Sequence, residues 1–524
     1  MKNLTYILFI LMIIFLGGCS EDFLDTNPQG EWLEENYFIN DEQVELGLNA
    51  AYAHLRIQFL SDESVGSGDY CSQMLLSNLR SDGSNVGGQR LGDGASMEEI
   101  GHFTLTTTNL PVYYRWFACY SGINRCNLVI NNPDYESDLL PVLQAEAKYL
   151  RAYFYFQLVQ FYGDVPLILT SLSQDEYGQA RRSVEDVFNQ IITDLETAVD
   201  ILPEKSERVA NEINRATKGA AKTLLGKVYL TMASPYYNLG TEYYSEAAVI
   251  LQEVIQSEEY DLEEDYDMIW NRNYEHGTES IFEIDYSAVS QVEGWWNGIH
   301  ASGSIDIQFQ GPRLDAGGGD TLSAGWGFNL PSQDLQDAYA GAGDSLRAHG
   351  TLLTEEFINS VGGSVTDYPP TFAGAYDKKH TTWSYMFTGN RWRWETNERI
   401  YRFADVLLMA AEALNRKNGP DDATAREYVN RVRARAMLDP VTESGDALFE
   451  IIKLERRLEL AMEGHRFFDL VRWGIAAETI NQWRINDGIG DIVREFKENR
   501  DELFPIPYYD IVNSGFTLIQ NQGY

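Results

Sequence analysis

The sequence predicts a mostly α-helical protein: a scaffold of paired helices that carries a long insertion of irregular loops and short strands. Helical periodicity recurs from residue 144 to 254 and again from 401 to 432. Between those stretches glycine becomes dense (Gly311, Gly317, Gly318, Gly319, Gly325, Gly327), and Trp and Tyr scatter among polar residues without a helical period. The 524 residues are 44% hydrophobic and 23% charged, the balance of a folded globular chain.

Each element has its own signal. The first clear helix runs from Gln144 to Tyr162 and stops at Gly163, with Pro166 soon after. The next runs from Val184 to Leu202, stopped by Pro203. Leu225, Gly226 and Tyr229 have the spacing of the first helix of a tetratricopeptide repeat, and Ala247, Leu251 and Val254 that of its second. A third pair holds Tyr401 to Asn415, the turn Gly419-Pro420, then Ala425, Val429 and Val432. Small residues at such positions let paired helices approach. The repeat's period of about 34 residues is not kept, so the scaffold is tetratricopeptide-like but interrupted. It is expected over 32–260 and 399–480, with the loop-rich insertion at about 261–398 and a C-terminal tail at 481–524. Within the insertion only Leu335 to Tyr339 reads as helix. A Gly/Ser/Asp-rich stretch from Ser61 to Gly94 reads as a second polar loop.

Lys2 precedes an apolar run from Leu4 to Leu16, broken only by Thr5. A membrane-spanning helix needs about 20 residues. The run is shorter and reads as the core of a secretory signal peptide, residues 1–18. No other stretch is long and apolar enough to span a bilayer. Leu16-Gly17-Gly18-Cys19 resembles a bacterial lipobox, which implies cleavage before Cys19 and acylation of that residue. Several acyl chains, at about 0.8 kcal/mol per buried CH₂, would hold the chain at a membrane. The acidic run Glu21-Asp22-Phe23-Leu24-Asp25 resembles an export signal to the outer face of the outer membrane. Cys71, Cys119 and Cys126 remain. On one helix Cys119 and Cys126 would lie about 10 Å apart, beyond the roughly 7 Å that a disulfide tolerates. At most one bridge is expected, and it would use Cys71.

Asp and Glu number 79 against 40 Lys and Arg, a net charge of −39. Such a surface repels phosphate backbones, so no nucleic-acid partner is predicted. Aromatics make up 13% of the chain, with 31 Tyr, 24 Phe and 11 Trp, a supply of flat rings with one polar edge that suits sugar or peptide binding. No HExxH helix, GxSxG elbow, P-loop or EF-hand loop occurs, and the seven His lack metal-ligand spacing. No enzyme, cofactor or metal site is therefore predicted.

The C-terminal part carries a more specific pattern. Residues Glu455 to Trp473 (ERRLELAMEGHRFFDLVRW) resemble the most recognisable stretch of the SusD/RagB family. Leu503-Phe504-Pro505-Ile506-Pro507, the end Asn521-Gln522-Gly523-Tyr524, Gly325 to Pro331, Asp334-Leu335 and Asp22 to Asp25 agree with the same family, in the expected order. The resemblance implies a lipoprotein of the cell outer membrane, facing the exterior. It also implies a lid on a SusC-like TonB-dependent barrel, which captures a glycan, or in some members a peptide, without catalysis. Read physically, Leu454, Leu458, Ala461 and Met462 form an apolar helical stripe, and Arg466, Asp469 and Arg472 can pair at i, i+3 spacing. His465 beside carboxylates could suggest acid–base chemistry; a structural ion network is the expected reading.

Sugar recognition needs aromatic faces for C–H surfaces and planar polar groups for hydroxyls. Glu293-Gly294-Trp295-Trp296-Asn297 offers both, with Trp295 or Trp296 as the stacking platform; neighbours on a strand face opposite sides, so one of the two would bind. The polar stretch offers Tyr70, Asn78, Arg80, Asp82 and Asn85. Trp383, Trp392 and Trp394, the last two alternating with Arg391 and Arg393, form a further group expected to pack in the core, and Trp326 is expected to be structural. The competing readings are a glycosidase, which would need two carboxylates about 5–10 Å apart that nothing in the sequence marks out, a peptide binder of the same family, and a non-catalytic scaffold that holds other proteins.

Overall fold

A computed structural model describes residues 37–62, 67–173, 176–287, 303–315, 320–365, 368–369 and 371–524. The first half of the chain forms α1 (Asp41–Leu55), α2 (Gln73–Asn78), α3 (Ala95–Gly101), α4 (Leu110–Asn131), α5 (Leu140–Tyr162), α6 (Val184–Ile201), α7 (Lys218–Ala233) and α8 (Tyr243–Gln256). Polar caps start several of them. Asn40, Asn109, Ser183 and Thr217 each accept a hydrogen bond from a backbone N–H of the first turn. The longest, α5, is buried at every residue from Tyr149 to Tyr162, which makes it the axis of the core.

The helices stack in chain order: α4 on α1 and α5, α5 on α6, α6 on α7, α7 on α8. A Cβ at Gly226 would meet Leu251 Cγ at 2.5 Å, and one at Gly122 would meet the Phe154 ring at 2.5 Å. Glycine is thus what lets α7 approach α8, and α4 approach α5.

The array resumes with α13 (Phe403–Arg416), which packs directly on α8, then α14 (Asp422–Arg435) and α15 (Gly445–Glu459). The insertion therefore interrupts the sequence but not the stack. Its strands β4 (Ser280–Ile284) and β8 (Glu398–Arg402) pair antiparallel, so it enters and leaves side by side. Between them lie α9 (Asp306–Gln310), β5 (Phe328–Pro331), α10 (Gln333–Ala342), α11 (Ser345–Thr351), β6 (Leu352–Thr354), α12 (Glu355–Ser360) and β7 (Ala375–Asp377). β6 pairs with β7, and β5 reaches back to β3 (Ser84–Gly87). The insertion has a small core of its own, formed by Leu322, Leu330, Leu353, Ile358, Val365 and Tyr376. The chain closes with α16 (Arg466–Arg472), α17 (Ala476–Asn486) and α18 (Tyr508–Asn513).

The mostly helical fold agrees with expectation, and four details correct it. The helix expected from Gln144 begins at Leu140, four residues early. Tyr401 lies in β8, not in the helix that follows. Leu454 is 39% exposed; only Leu458, Ala461 and Met462 of its stripe are buried. The 61–94 stretch is not simply a loop: it contains α2 and β3, and residues 70–72 and 74–88 are buried. Cys71, Cys119 and Cys126 are all free thiols in the interior.

A charged network joins the insertion to the scaffold. Glu459, at the end of α15 and fully buried, meets Arg402 Nη1 at 2.5 Å, Arg347 Nη1 at 3.2 Å and Arg435. Glu463 meets Arg402 Nε and Lys379 Nζ, each at 2.7 Å. Arg347 also pairs with Asp344 and Glu455, and Arg402 with Glu279. A neighbouring cluster links Arg456 to Asp405 and Asp469, and Arg472 to Asp469 and Glu412. Lys227 Nζ lies 3.0 Å from His465 Nδ1, which must accept because an ammonium only donates. Burial and the adjacent Lys227 push His465 down to about 4. Burial alone would raise Glu463 and Asp469, but the surrounding cations, Arg402 with Lys379 and Arg456 with Arg472, override it and hold both below the usual carboxylate range.

Gly226→Val is expected to lose about 1–3 kcal/mol of stability through overpacking, read from the midpoint of chemical denaturation of residues 20–524. Glu459→Ala, which strands three buried arginine contacts, is expected to lose about 3–5 kcal/mol. Three titrating groups of the network act with one sign. His465, Glu463 and Asp469 all titrate lower in the folded chain than in the unfolded one, so their contribution is complete above the unfolded His value of about 6.5 and falls away as pH drops. The network's share of the denaturation midpoint should decline from pH 7 to pH 3, most steeply below about pH 4.5 where the unfolded carboxylates titrate, against the opposite trend of carboxyls that burial raises, such as Asp69 and Glu398. A Glu463→Gln chain should show a shallower decline, and an unchanged slope would contradict the network's role.

Candidate functional site

The insertion and the first hairpin meet in an aromatic cluster. The hairpin is β1 (Phe59–Asp62) with β2 (Ser67–Tyr70). Phe309 of α9 stacks on Phe328 of β5 with ring centres 4.2 Å apart, and Tyr70 leans on Phe309 at 4.3 Å. Over this floor Trp326 and Trp392 meet edge to face at 6.0 Å, with Tyr70 6.1 Å from Trp326 and Phe59 5.8 Å from Trp392. Trp326 and Trp392 are half-buried, so part of each ring remains at the surface. Backbone packing fixes them. Trp326 N donates to Gln308 O and Gly327 N to Gly311 O. A Cβ at Gly325 would meet the Gly311 backbone at 2.3 Å.

Around this cluster the described chain frames the segment 288–302 from both sides. Before it, Tyr286 N donates to Asn397 Oδ1 at 3.1 Å. After it, Ser304 N donates to Trp394 O at 2.9 Å, and a Cβ at Gly303 would meet Arg393 Cα at 2.3 Å. The two flanks are therefore fastened to the single stretch 393–397, beside the Trp326–Trp392 pair. Trp295, Trp296 and Asn297 lie outside the described residues, as does Cys19.

The polar candidates of the 61–94 stretch are placed otherwise than expected. Tyr70 is 7% exposed and belongs to the aromatic floor. Asn78 holds the turn after α15: its Nδ2 donates to Met462 O at 2.8 Å and its Oδ1 accepts from Gly464 N at 2.9 Å. Arg80 is sandwiched between the Phe467 and Phe504 rings, 4.3 and 4.4 Å away, and donates to Asp501 O. Asp82 takes a bidentate contact from Arg466 at 2.8 Å and another from Arg457 at 3.1 Å. Asn85 sits in β3 opposite Leu330. These side chains are buried and engaged within the protein, which makes them parts of the frame. Trp394 is fully buried, as expected for core packing, whereas Trp392 and Trp383 reach the surface in part.

Two further features escaped sequence reasoning. His276, Glu283 and Asp285 bring three ligand-type atoms within 4.8 Å of one another, the group among the described residues most able to approach a metal. Its anions already have protein donors: Asn397 Nδ2 donates to Glu283 and Asp285 at 3.0 and 2.8 Å, and His276 Nε2 is 2.9 Å from Asp285. The second feature is a groove of about 890 Å³ between α1, α4, the 166–179 connection and α18. Its signal was the aromatic run on α4, Tyr113 to Tyr120, which resembles a core stripe until Phe117 proves exposed.

Asp82→Ala should destabilise the chain by about 3–5 kcal/mol by leaving the half-buried Arg466 without its bidentate partner and Arg457 with Asp334 alone, while changing the affinity for any ligand of the loop cluster less than twofold. Calorimetry on the refolded variant measures both.

Comparison with known proteins places this geometry. Residues 354–524 match a model described as the SusD family, and residues 73–230 match one described as starch-binding associating with outer membrane. SusD-like protein P2 of Formosa agariphila is 29% identical over 99% of each chain. The structure of a laminarin binding SusD-like protein shares 30% identity and a TM-score of 0.78, over 93% of this chain and 100% of that one. Surface glycan-binding protein A from Bacteroides thetaiotaomicron, in complex with laminarihexaose, shares 25% identity and a TM-score of 0.79, over 92% and 99%. Matching such proteins in sequence and fold over nearly its whole length, the chain belongs to the SusD/RagB family.

Proposed function

We propose that this chain is a glycan-binding lipoprotein of the outer cell surface, anchored through Cys19, which captures an oligosaccharide and delivers it to a SusC-like TonB-dependent barrel. The observation that carries the reading is the half-exposed Trp326–Trp392 pair beside the roots of the segment that bears Trp295, Trp296 and Asn297. A rigid aromatic floor suits the C–H faces of sugar rings. Two relatives of matching fold are named for binding laminarin or a laminarihexaose ligand, which makes a β-glucan of that kind the first ligand to test. The chain acts by binding and without catalysis: His465, its most suggestive acid–base group, is enclosed in an ion network and is neutral at physiological pH.

Titration calorimetry of residues 20–524 against a panel of soluble polysaccharides that includes laminarin tests the reading. Binding of one glycan, recovered intact after long incubation and weakened at least tenfold by Trp295→Ala/Trp296→Ala, is the expected outcome. Shortened glycan after incubation would point to an enzyme. No binding across the panel would turn attention to a peptide ligand or to a purely scaffolding role.

A further inference from the structure

The helical scaffold carries a concave surface of its own, on a different part of the chain from the loop cluster. The groove between α1, α4, the 166–179 connection and α18 is preformed. Tyr120 Oη donates to Pro166 O at 2.8 Å, and Arg181 ties the connection to the tail through Ile519 O at 2.7 Å and Asn521 Oδ1 at 2.6 Å. A Cβ at Gly178 would meet Ser514 O at 2.8 Å, so the connection and the tail touch there.

The lining alternates rings with planar polar groups. Tyr113, Phe117 and Tyr120 follow one face of α4 at i, i+4 and i+7, about 10 Å along the helix. Phe117 is 42% exposed, and Tyr177 on the opposite wall is 66% exposed. Asn124, one turn beyond Tyr120, and Gln179 bring amide groups to the groove, and α18 contributes Asp510. The Asp510 carboxyl has the Trp116 indole as a protein partner, while its Oδ2, shielded from solvent, has no hydrogen bond of its own. Buried carboxylate oxygens are normally paired, so this one calls for a donor from outside the chain. A purely apolar ligand would account for the rings alone. A sugar accounts for rings and polar groups together, because each pyranose presents an apolar C–H face and a rim of hydroxyl donors and acceptors.

We propose that this groove is a second oligosaccharide site, in which Phe117 and Tyr177 cover ring faces while Asn124, Gln179 and Asp510 pair with hydroxyls. It rests on the glycan-binding reading and adds a subsite on the scaffold, separate from the loop cluster. A chain with two sites holds a long glycan at two points, which raises its retention through effective concentration without any tighter single contact.

The test is calorimetric titration of residues 20–524 with laminarihexaose, in wild type, in Phe117→Ala/Tyr177→Ala and in Trp295→Ala/Trp296→Ala. Two molecules bound per wild-type chain are expected, falling to one in each double variant. Phe117 and Tyr177 are exposed, so their variant should keep the wild-type unfolding midpoint. Asp510→Asn should weaken the site that survives in the Trp295/Trp296 variant about tenfold. A stoichiometry of one that the groove variant does not touch overturns the proposal and leaves the glycan-binding reading standing. If the groove variant keeps two sugars but loses retention of an outer-membrane protein in pull-down, the groove is a protein interface and the proposal falls. Wild type that binds neither laminarihexaose nor any panel polysaccharide overturns both readings.

Discussion

Everything above the scaffold depends on one buried carboxylate and the cations that surround it. Glu459 closes α15, and the arginines that reach it come from three separate places: Arg402 at the exit of the insertion, Arg435 at the end of α14, and Arg347 inside the insertion. Desolvating so many charges is expensive, and an apolar core of equal volume could match their stability. What apolar packing would not supply is direction. Guanidinium groups demand planar, bidentate partners, so the network fixes how the insertion sits on the helices. The insertion needs this, since its own core is six residues and its sheets have two strands each.

The same logic explains the turn that follows α15. Met462 and Gly464 both adopt positive φ, at 66° and 81°. Such a turn, with a side chain at one of its left-handed positions, needs support from outside. Asn78 gives it by taking one backbone donor and one backbone acceptor of the turn, and Ser77 Oγ adds a bond of 2.8 Å to Gly464 O. α2 is thus less an isolated helix than a brace for the segment that holds Glu463.

The helices of the scaffold were legible because their signals are local. Caps, a glycine stop at 163, a proline after 202 and small residues at 226 and 247 act within a few residues of where they stand. The stretch from 61 to 94 was misread for the opposite reason. Its serines, asparagine and aspartate look solvent-exposed in composition, but their partners lie almost 400 residues away in sequence, at Met462, Gly464 and Arg466. No periodicity announces a contact of that range. The aromatic stripe of α4 went unread for another reason: spacing shows which residues share a face, but not whether that face meets a neighbour or an open groove. Trp392 was expected in the core and stands half-buried against it, since its neighbours Trp326 and Phe59 cover it only in part.

The direct packing of α8 on α13 has a consequence for how such a chain diversifies. The stack closes across the insertion, and β4 pairs with β8 at its neck. The intervening residues are thus a cassette hung from a two-stranded stem, and the stem's spacing does not depend on what the cassette contains. A graft from a relative would need to preserve the ladder from Ser280–Arg402 to Ile284–Glu398, the glycines that let its loops cross, and the cations at 347 and 379. The whole set of loops can then be exchanged in one step while the helices stay as they are.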